Sequence, residues 1–217
     1  MKPETAPGAP EPLGKRRQAW LLWAVPLLWA IALAVSFQID AKVIAWVTSN
    51  REMLREPLQW ALLGTGVLIT IQGARSLPNG NRLLIGFLVP IIVSTLVTHL
   101  LKFSIGRARP FVGEGAAKFA PFLANGGEYA SFPSGHTQYA FVLATLWCLY
   151  WPKMRWVAML WAPIVAFERL YSEKHFLSDV LAGAAIGVVT TLFIVKLLGP
   201  NYYRMSVGTE TPAEAQG

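Results

Sequence analysis

The chain is predicted to be an all-α, polytopic membrane helical bundle with about six transmembrane helices. Three observations predict it. Apolar residues make up 54% and charged residues 14% of its 217 residues, against roughly 25% charged in an ordinary soluble chain, so little polar material is left to coat a water-facing surface. Between Arg17 and Asp40 lie 22 consecutive residues without a formal charge, and between Arg82 and Lys102 lie 19; about 20 apolar residues cross the hydrocarbon. The net charge is +7, but the cations gather at the ends of apolar runs, where membrane proteins place them. They form no basic stripe with interleaved aromatics, so no nucleic-acid partner is expected.

Residues 1–18 read as a disordered cytoplasmic tail, since Pro3, Pro7, Pro10 and Pro12 stand among small and acidic residues. A membrane domain follows over 19–200, with apolar segments near 19–38, 57–74, 83–101, 137–152, 155–170 and 179–198. The first segment has a rival reading as a cleaved signal peptide, because Lys15, Arg16 and Arg17 precede it and Ala30-Ile31-Ala32 resembles a cleavage site. Its uncharged run exceeds the usual apolar core of such peptides, roughly 7–15 residues, so a retained helix is expected. The fifth and sixth segments are short, with 12 uncharged residues between Arg155 and Glu168 and 16 between Asp179 and Lys196. They can span if their charged ends face a protein-lined polar cavity rather than lipid. Residues 201–217 read as a polar tail. Cys148 has no partner for an internal disulfide and is expected as a small buried or lipid-facing residue. Placing the N-terminus in the cytoplasm gives the inner side the larger positive excess, so both termini are expected inside.

Three polar clusters then fall on the outer side. Lys102 and Arg109, seven residues apart, can share a helical face if the third helix continues that far. Ser131-Phe-Pro133-Ser134-Gly135-His136 opens the fourth segment, where small residues and free N–H groups at a helix start favour an anion. His175 and Asp179 are four apart, the spacing of one helical face, and a carboxylate there can fix an imidazole's tautomer. Together they describe an oxyanion site: Lys102, Arg109 and Arg169 supply charge and forked donors, and Gly135 supplies backbone access. A histidine backed by a carboxylate suits a nucleophile, and one beside a glycine suits a general acid, so phosphoryl transfer is the natural chemistry. His99, one turn before Lys102, is read as a packed or hydrogen-bonded helix residue. A two-histidine, one-carboxylate metal site on His136, His175 and Asp179 is a rival, disfavoured because the nearby cations repel a metal; no metal is expected. A transporter of a phosphorylated solute is a second rival, disfavoured because the charges lie near one face rather than at the midplane.

These residues resemble the type-2 phosphatidic acid phosphatase superfamily of membrane lipid phosphatases. Its signature, K-x6-R-P, then P-S-G-H, then S-R-x5-H-x3-D, is matched by Lys102 with Arg109-Pro110, by Pro133-Ser134-Gly135-His136, and by Arg169 with His175 and Asp179. The resemblance implies that residues 19–200 are a six-helix phosphatase domain without a cofactor, acting on a lipid phosphate or diphosphate; the charge bias then sets it in a bacterial inner membrane with its site facing the periplasm or outer side. It implies that His175 forms a phosphohistidine, that Asp179 orients it, and that His136 protonates the leaving group. Lys102, Arg109, Ser134, Gly135 and Arg169 would hold the phosphate. Phosphatidylglycerophosphate, phosphatidic acid, undecaprenyl diphosphate and lipid A phosphates all fall within the family's range, and lipid-to-lipid phosphotransfer is an alternative outcome. Glu168 stands where the family pattern has serine, and can pair with Arg169, Arg107 or Lys174.

Overall fold

The computed structural model describes residues 13–49, 57–75, 80–122 and 127–199. Six helices follow one another: α1 (Leu13–Ser49), α2 (Pro57–Arg75), α3 (Gly80–Ile105), α4 (Gly135–Tyr150), α5 (Arg155–Tyr171) and α6 (Leu177–Leu198). No β-strand occurs among the described residues beyond an isolated bridge between Arg107 and Phe119. Ala24–Ser49, Ile85–Ile105 and Leu177–Leu198 are each long and apolar enough to cross a membrane unaided. The bundle's outer wall carries exposed Ile31, Leu68, Leu96, Leu100, Leu160, Ile164 and Phe193, an apolar surface far beyond what a water-soluble monomer tolerates and suited to lipid. Cys148 is exposed on that wall.

The first helix differs most from expectation. It begins at Leu13, inside the stretch read as a tail, and passes through Asp40 to Ser49 instead of stopping near residue 38. Asp40 does not end it because its carboxylate is buried and paired within the protein. The remaining tail residues 1–12, and the C-terminal tail over 201–217, lie outside the described residues.

The α4 helix is the axis of the bundle and packs on α6, α5 and α3. Its inner face carries Ala140, Leu143, Leu146 and Trp147, joined by Ala158, Trp161 and Ala162 from α5 and by Phe87 from α3. The Trp147 and Trp161 rings lie 4.9 Å apart. Their indole N–H groups are not left dry: Trp147 donates to Thr70 Oγ1 at 3.0 Å and Trp161 to the Leu62 carbonyl at 3.1 Å. Both ties reach across to α2.

The α4–α6 contact is closer than side chains would allow. Gly183 and Gly187, four apart on α6, face the carbonyls of Ser134 and Gln138, and a Cβ at either would collide with that backbone. Spaced small residues of this kind let membrane helices approach backbone to backbone. Gly183 therefore sets where α4 begins. Gly183→Ala should lower the melting temperature in detergent by an amount corresponding to about 1–3 kcal/mol, the usual cost of overpacking. Gly64→Ala, which would meet nothing within 4 Å, should melt like the wild type; equal melting of both variants would contradict the role given to this contact.

Candidate active site

The third helix stops at Ile105 because Gly106 takes a left-handed conformation, φ +58°, with the Ala120 carbonyl packed where a Cβ would stand. The expected common helical face of Lys102 and Arg109 is therefore not how they meet. The chain turns after Ile105, and the Arg109 N–H is fixed on the Glu128 carbonyl at 2.8 Å. Both side chains still reach one cavity of about 370 Å³, lined also by Gly135, His136 and His175. Lys102 Nζ donates to the Ala130 carbonyl at 2.5 Å, which holds the ammonium against the loop before α4. Burial and the charge of Arg169 push Arg109 below the usual guanidinium value, so an anion beside it offsets the repulsion between the two guanidiniums.

The first turn of α4 forms the floor, and the residues before it stand behind that turn. Ser134 is the N-cap of α4, its hydroxyl accepting from Thr137 Oγ1 at 3.0 Å and from the Thr137 N–H at 3.5 Å. Ser134 is buried behind the cavity wall rather than in it. Gly135 and His136 occupy the first helical positions, whose N–H groups have no partner within the helix. The His136 ring stands edge-on to Trp60 of α2, centroids 6.0 Å apart.

His175 is 2% exposed. Its Nδ1 lies 2.7 Å from the Ser131 carbonyl; an N–H there donates to that oxygen and leaves Nε2 as the basic nitrogen. Asp179 was expected to make this bond, but its Oδ2 stands 3.7 Å from Nδ1, too far for a hydrogen bond. Oδ2 instead accepts from Ser131 Oγ at 2.5 Å and from the Phe176 N–H at 2.8 Å. The Asp179 carbonyl also accepts from the Ser134 N–H at 2.9 Å. Asp179 thus fastens the loop that holds His175. Burial pushes His175 down to about 3, with Asp179 opposing and Lys102 and Arg109 reinforcing; the imidazole is neutral at physiological pH.

Arg169 is buried and grips Glu168, with Nε donating at 2.6 Å and Nη2 closing the pair. Of the three partners considered for Glu168, Arg169 is the one it takes. Arg169 and Asp179 stand behind the cavity, whereas Lys102, Arg109, Gly135, His136 and His175 line it directly. His99 also lines it, and is exposed at the cavity mouth rather than packed. Among the described residues no three of His, Cys, Asp and Glu converge as a metal site would require.

The residue that sequence reasoning missed is Asp40. The Arg107 guanidinium, 1% exposed, donates to Asp179 Oδ1 at 2.6 Å, to Asp40 Oδ2 at 2.8 Å and to Ser178 Oγ at 2.6 Å. Its Nε and Nη2 both reach the Ala116 carbonyl, and the Phe176 ring lies 4.3 Å below it. Asp40 in turn accepts from the Ser178 N–H at 2.9 Å and from the Ser178 hydroxyl. An acid inside a membrane segment is the available signal, hidden because an acid that closes an uncharged run looks the same as a segment's end. Removing one partner of a buried pair leaves an uncompensated charge, so Arg107→Ala should cost on the order of 3–5 kcal/mol, seen as a large drop in melting temperature. Ser178→Ala should cost less than half as much, and similar melting of the two would deny Arg107 its central position.

Residues 83–203 match the PAP2 superfamily. A Lipid A 1-phosphatase of Rhizobium johnstonii is 36% identical over 99 residues, covering 45% of this chain and 40% of that protein; the matched stretch thus spans less than half of such curated relatives. Two solved folds are similar, each at 21% identity. LpxE of Aquifex aeolicus gives a TM-score of 0.53 over 73% of this chain and 95% of its own. A phosphatidylglycerolphosphate phosphatase of Bacillus subtilis gives 0.50 over 82% and 96%. With more than half of its length matched and the three motifs gathered round one cavity, the chain belongs to the PAP2 superfamily.

Proposed function

We propose that the protein is a membrane lipid phosphatase, hydrolysing a phosphomonoester or diphosphate of a lipid through a phosphohistidine at His175. The observation that carries this reading is the pinning of His175 Nδ1 on the Ser131 carbonyl, which presents Nε2 toward a cavity walled by Lys102, Arg109 and His136. In the first step Nε2 bonds to phosphorus as the bond to the lipid oxygen breaks, and His136 delivers a proton to that oxygen. Lys102 and Arg109, with the N–H groups at the start of α4, take up the charge of the equatorial oxygens, and Arg169, held on Glu168 behind the cavity, adds its positive field. Asp179, 3.7 Å from Nδ1, offsets the positive charge that the ring acquires. In the second step water attacks phosphorus, His136 accepts its proton, and the P–N bond breaks. Ser134 acts in this scheme through its cap on α4, keeping the helix start in place. The domain doing this work spans residues 19–200.

Removing the nucleophile should separate the two histidines. His175→Ala should abolish turnover and leave no covalent phosphoenzyme, whereas His136→Ala should be slow chiefly on substrates with a poor alkoxide leaving group. An aryl phosphate, whose oxygen needs no proton, should recover the first step in His136→Ala, seen as fast formation of the phosphoenzyme, while its breakdown by water stays slow. Rapid-quench trapping with labelled phosphate reads this directly: a phosphohistidine persisting in His175→Ala means that the roles are reversed.

The same reading puts the cavity on the outer side of a bacterial inner membrane, because the inner side carries the larger positive excess. Lys118 is exposed on the loop after α3, its carbonyl accepting from the N–H of Ala108, next to the cavity-lining Arg109. In a Cys148→Ala background, Lys118→Cys should react with an impermeant thiol reagent in intact cells stripped of their outer membrane. Labelling confined to lysed cells would reverse the orientation.

A further inference from the structure

Resting on the phosphatase reading, we propose that Thr95, Thr98 and His99 on α3 form a subsite for the linkage region of an acylated lipid. That region holds the ester or amide carbonyls and the hydroxyls between a lipid phosphate and its hydrocarbon chains. Thr95, Thr98, His99 and Lys102 fall at i, i+3, i+4 and i+7, the spacing of one helical face, and all four line the cavity, with Trp60 and Leu63 of α2 across it. The strip descends from the phosphate-binding lysine for about 10 Å at 1.5 Å per residue. Around it α3 is lipid-facing, with Ile92, Leu96 and Leu100 each more than half exposed.

Polar groups at such depth are costly unless something hydrogen-bonds to them. Thr98 is 1% exposed, yet its hydroxyl has no partner. Other helical hydroxyls in the bundle have solved this problem locally. Thr65, Thr70, Thr145, Thr191 and Ser94 each donate to the carbonyl one turn back. Thr98 does not, and its methyl packs toward Gly135, at the edge of the cavity floor. His99 is exposed at the mouth, in a position where an apolar residue would serve lipid contact better. A diacylglycerol phosphate and an acylated amino-sugar phosphate both carry hydrogen-bonding carbonyls over this depth. A polyprenyl diphosphate carries a second phosphate and then hydrocarbon alone, which gives a polar strip nothing to bond.

The test compares kcat/KM of the full-length protein in mixed micelles for phosphatidic acid, phosphatidylglycerophosphate, lipid A and a polyprenyl diphosphate. Thr98→Val and His99→Leu should each lower the ratio of acylated to polyprenyl turnover by about threefold to tenfold, the worth of one hydrogen bond, mainly through KM. His99→Gln should restore part of the loss. The acylated substrate that loses most identifies which source of carbonyls the strip serves. Equal losses on all lipids, or a wild type that prefers the polyprenyl substrate, would overturn the proposal. Should Thr98→Val fail to fold, the exposed position of His99 lets His99→Leu decide alone. A wild type that releases phosphate from no lipid sinks the phosphatase reading itself, an outcome distinct from a phosphatase whose variants lose all substrates alike.

Discussion

Everything around the cavity depends on one buried cation. Arg107 joins α1 through Asp40, the loop after α3 through the Ala116 carbonyl, and α6 through Ser178 and Asp179. A guanidinium in a bilayer-embedded bundle is affordable only when each of its donors is used, and here its Nε, Nη1 and Nη2 all are. Two carboxylates against one guanidinium would leave an excess negative charge, which the Ser131 hydroxyl and the Phe176 and Ser178 N–H groups spread. The outcome is a carboxylate at Asp179 that cannot swing, and therefore a loop that holds the His175 ring in one orientation.

Packing and chemistry share the same atoms elsewhere as well. The Ser134 carbonyl rests against Gly183, its N–H on the Asp179 carbonyl and its hydroxyl on Thr137. Moving α6 by a fraction of an ångström thus moves the first turn of α4, where Gly135 and His136 stand. Close helix packing of this type costs side-chain volume but gains rigidity in a solvent that provides no hydrophobic drive between helices. Trp60 plays a comparable part from α2, through its edge contact with His136.

Much of this was legible in the sequence, and the reasons for the misses are physical. The three clusters declare themselves because charged and small residues are so out of place in a chain this apolar. His136, His175, Lys102 and Arg109 accordingly meet at one cavity. Helical periodicity, though, gave a wrong reason for the Lys102–Arg109 pairing, since Gly106 breaks the helix between them and a turn does the work. His175–Asp179 spacing gave the right neighbours but the wrong bond, because the Ser131 carbonyl, 44 residues away in sequence, takes Nδ1 first. Asp40 was invisible for a related reason: an acid at the end of an apolar run looks like a boundary until the partner that buries it is known.

The position of Asp40 bears on how far the family-matched part of such a protein can stand as an interchangeable unit. The superfamily match begins at residue 83, after both α1 and α2, so it holds every motif residue but only one of the two carboxylates on Arg107. Grafting residues 83–203 onto another apolar anchor would preserve the hydropathy profile and the signature in full. It would also strand half of a buried charge pair. The N-terminal helix is, in this sense, a component of the cavity's framework that recombination cannot treat as packaging.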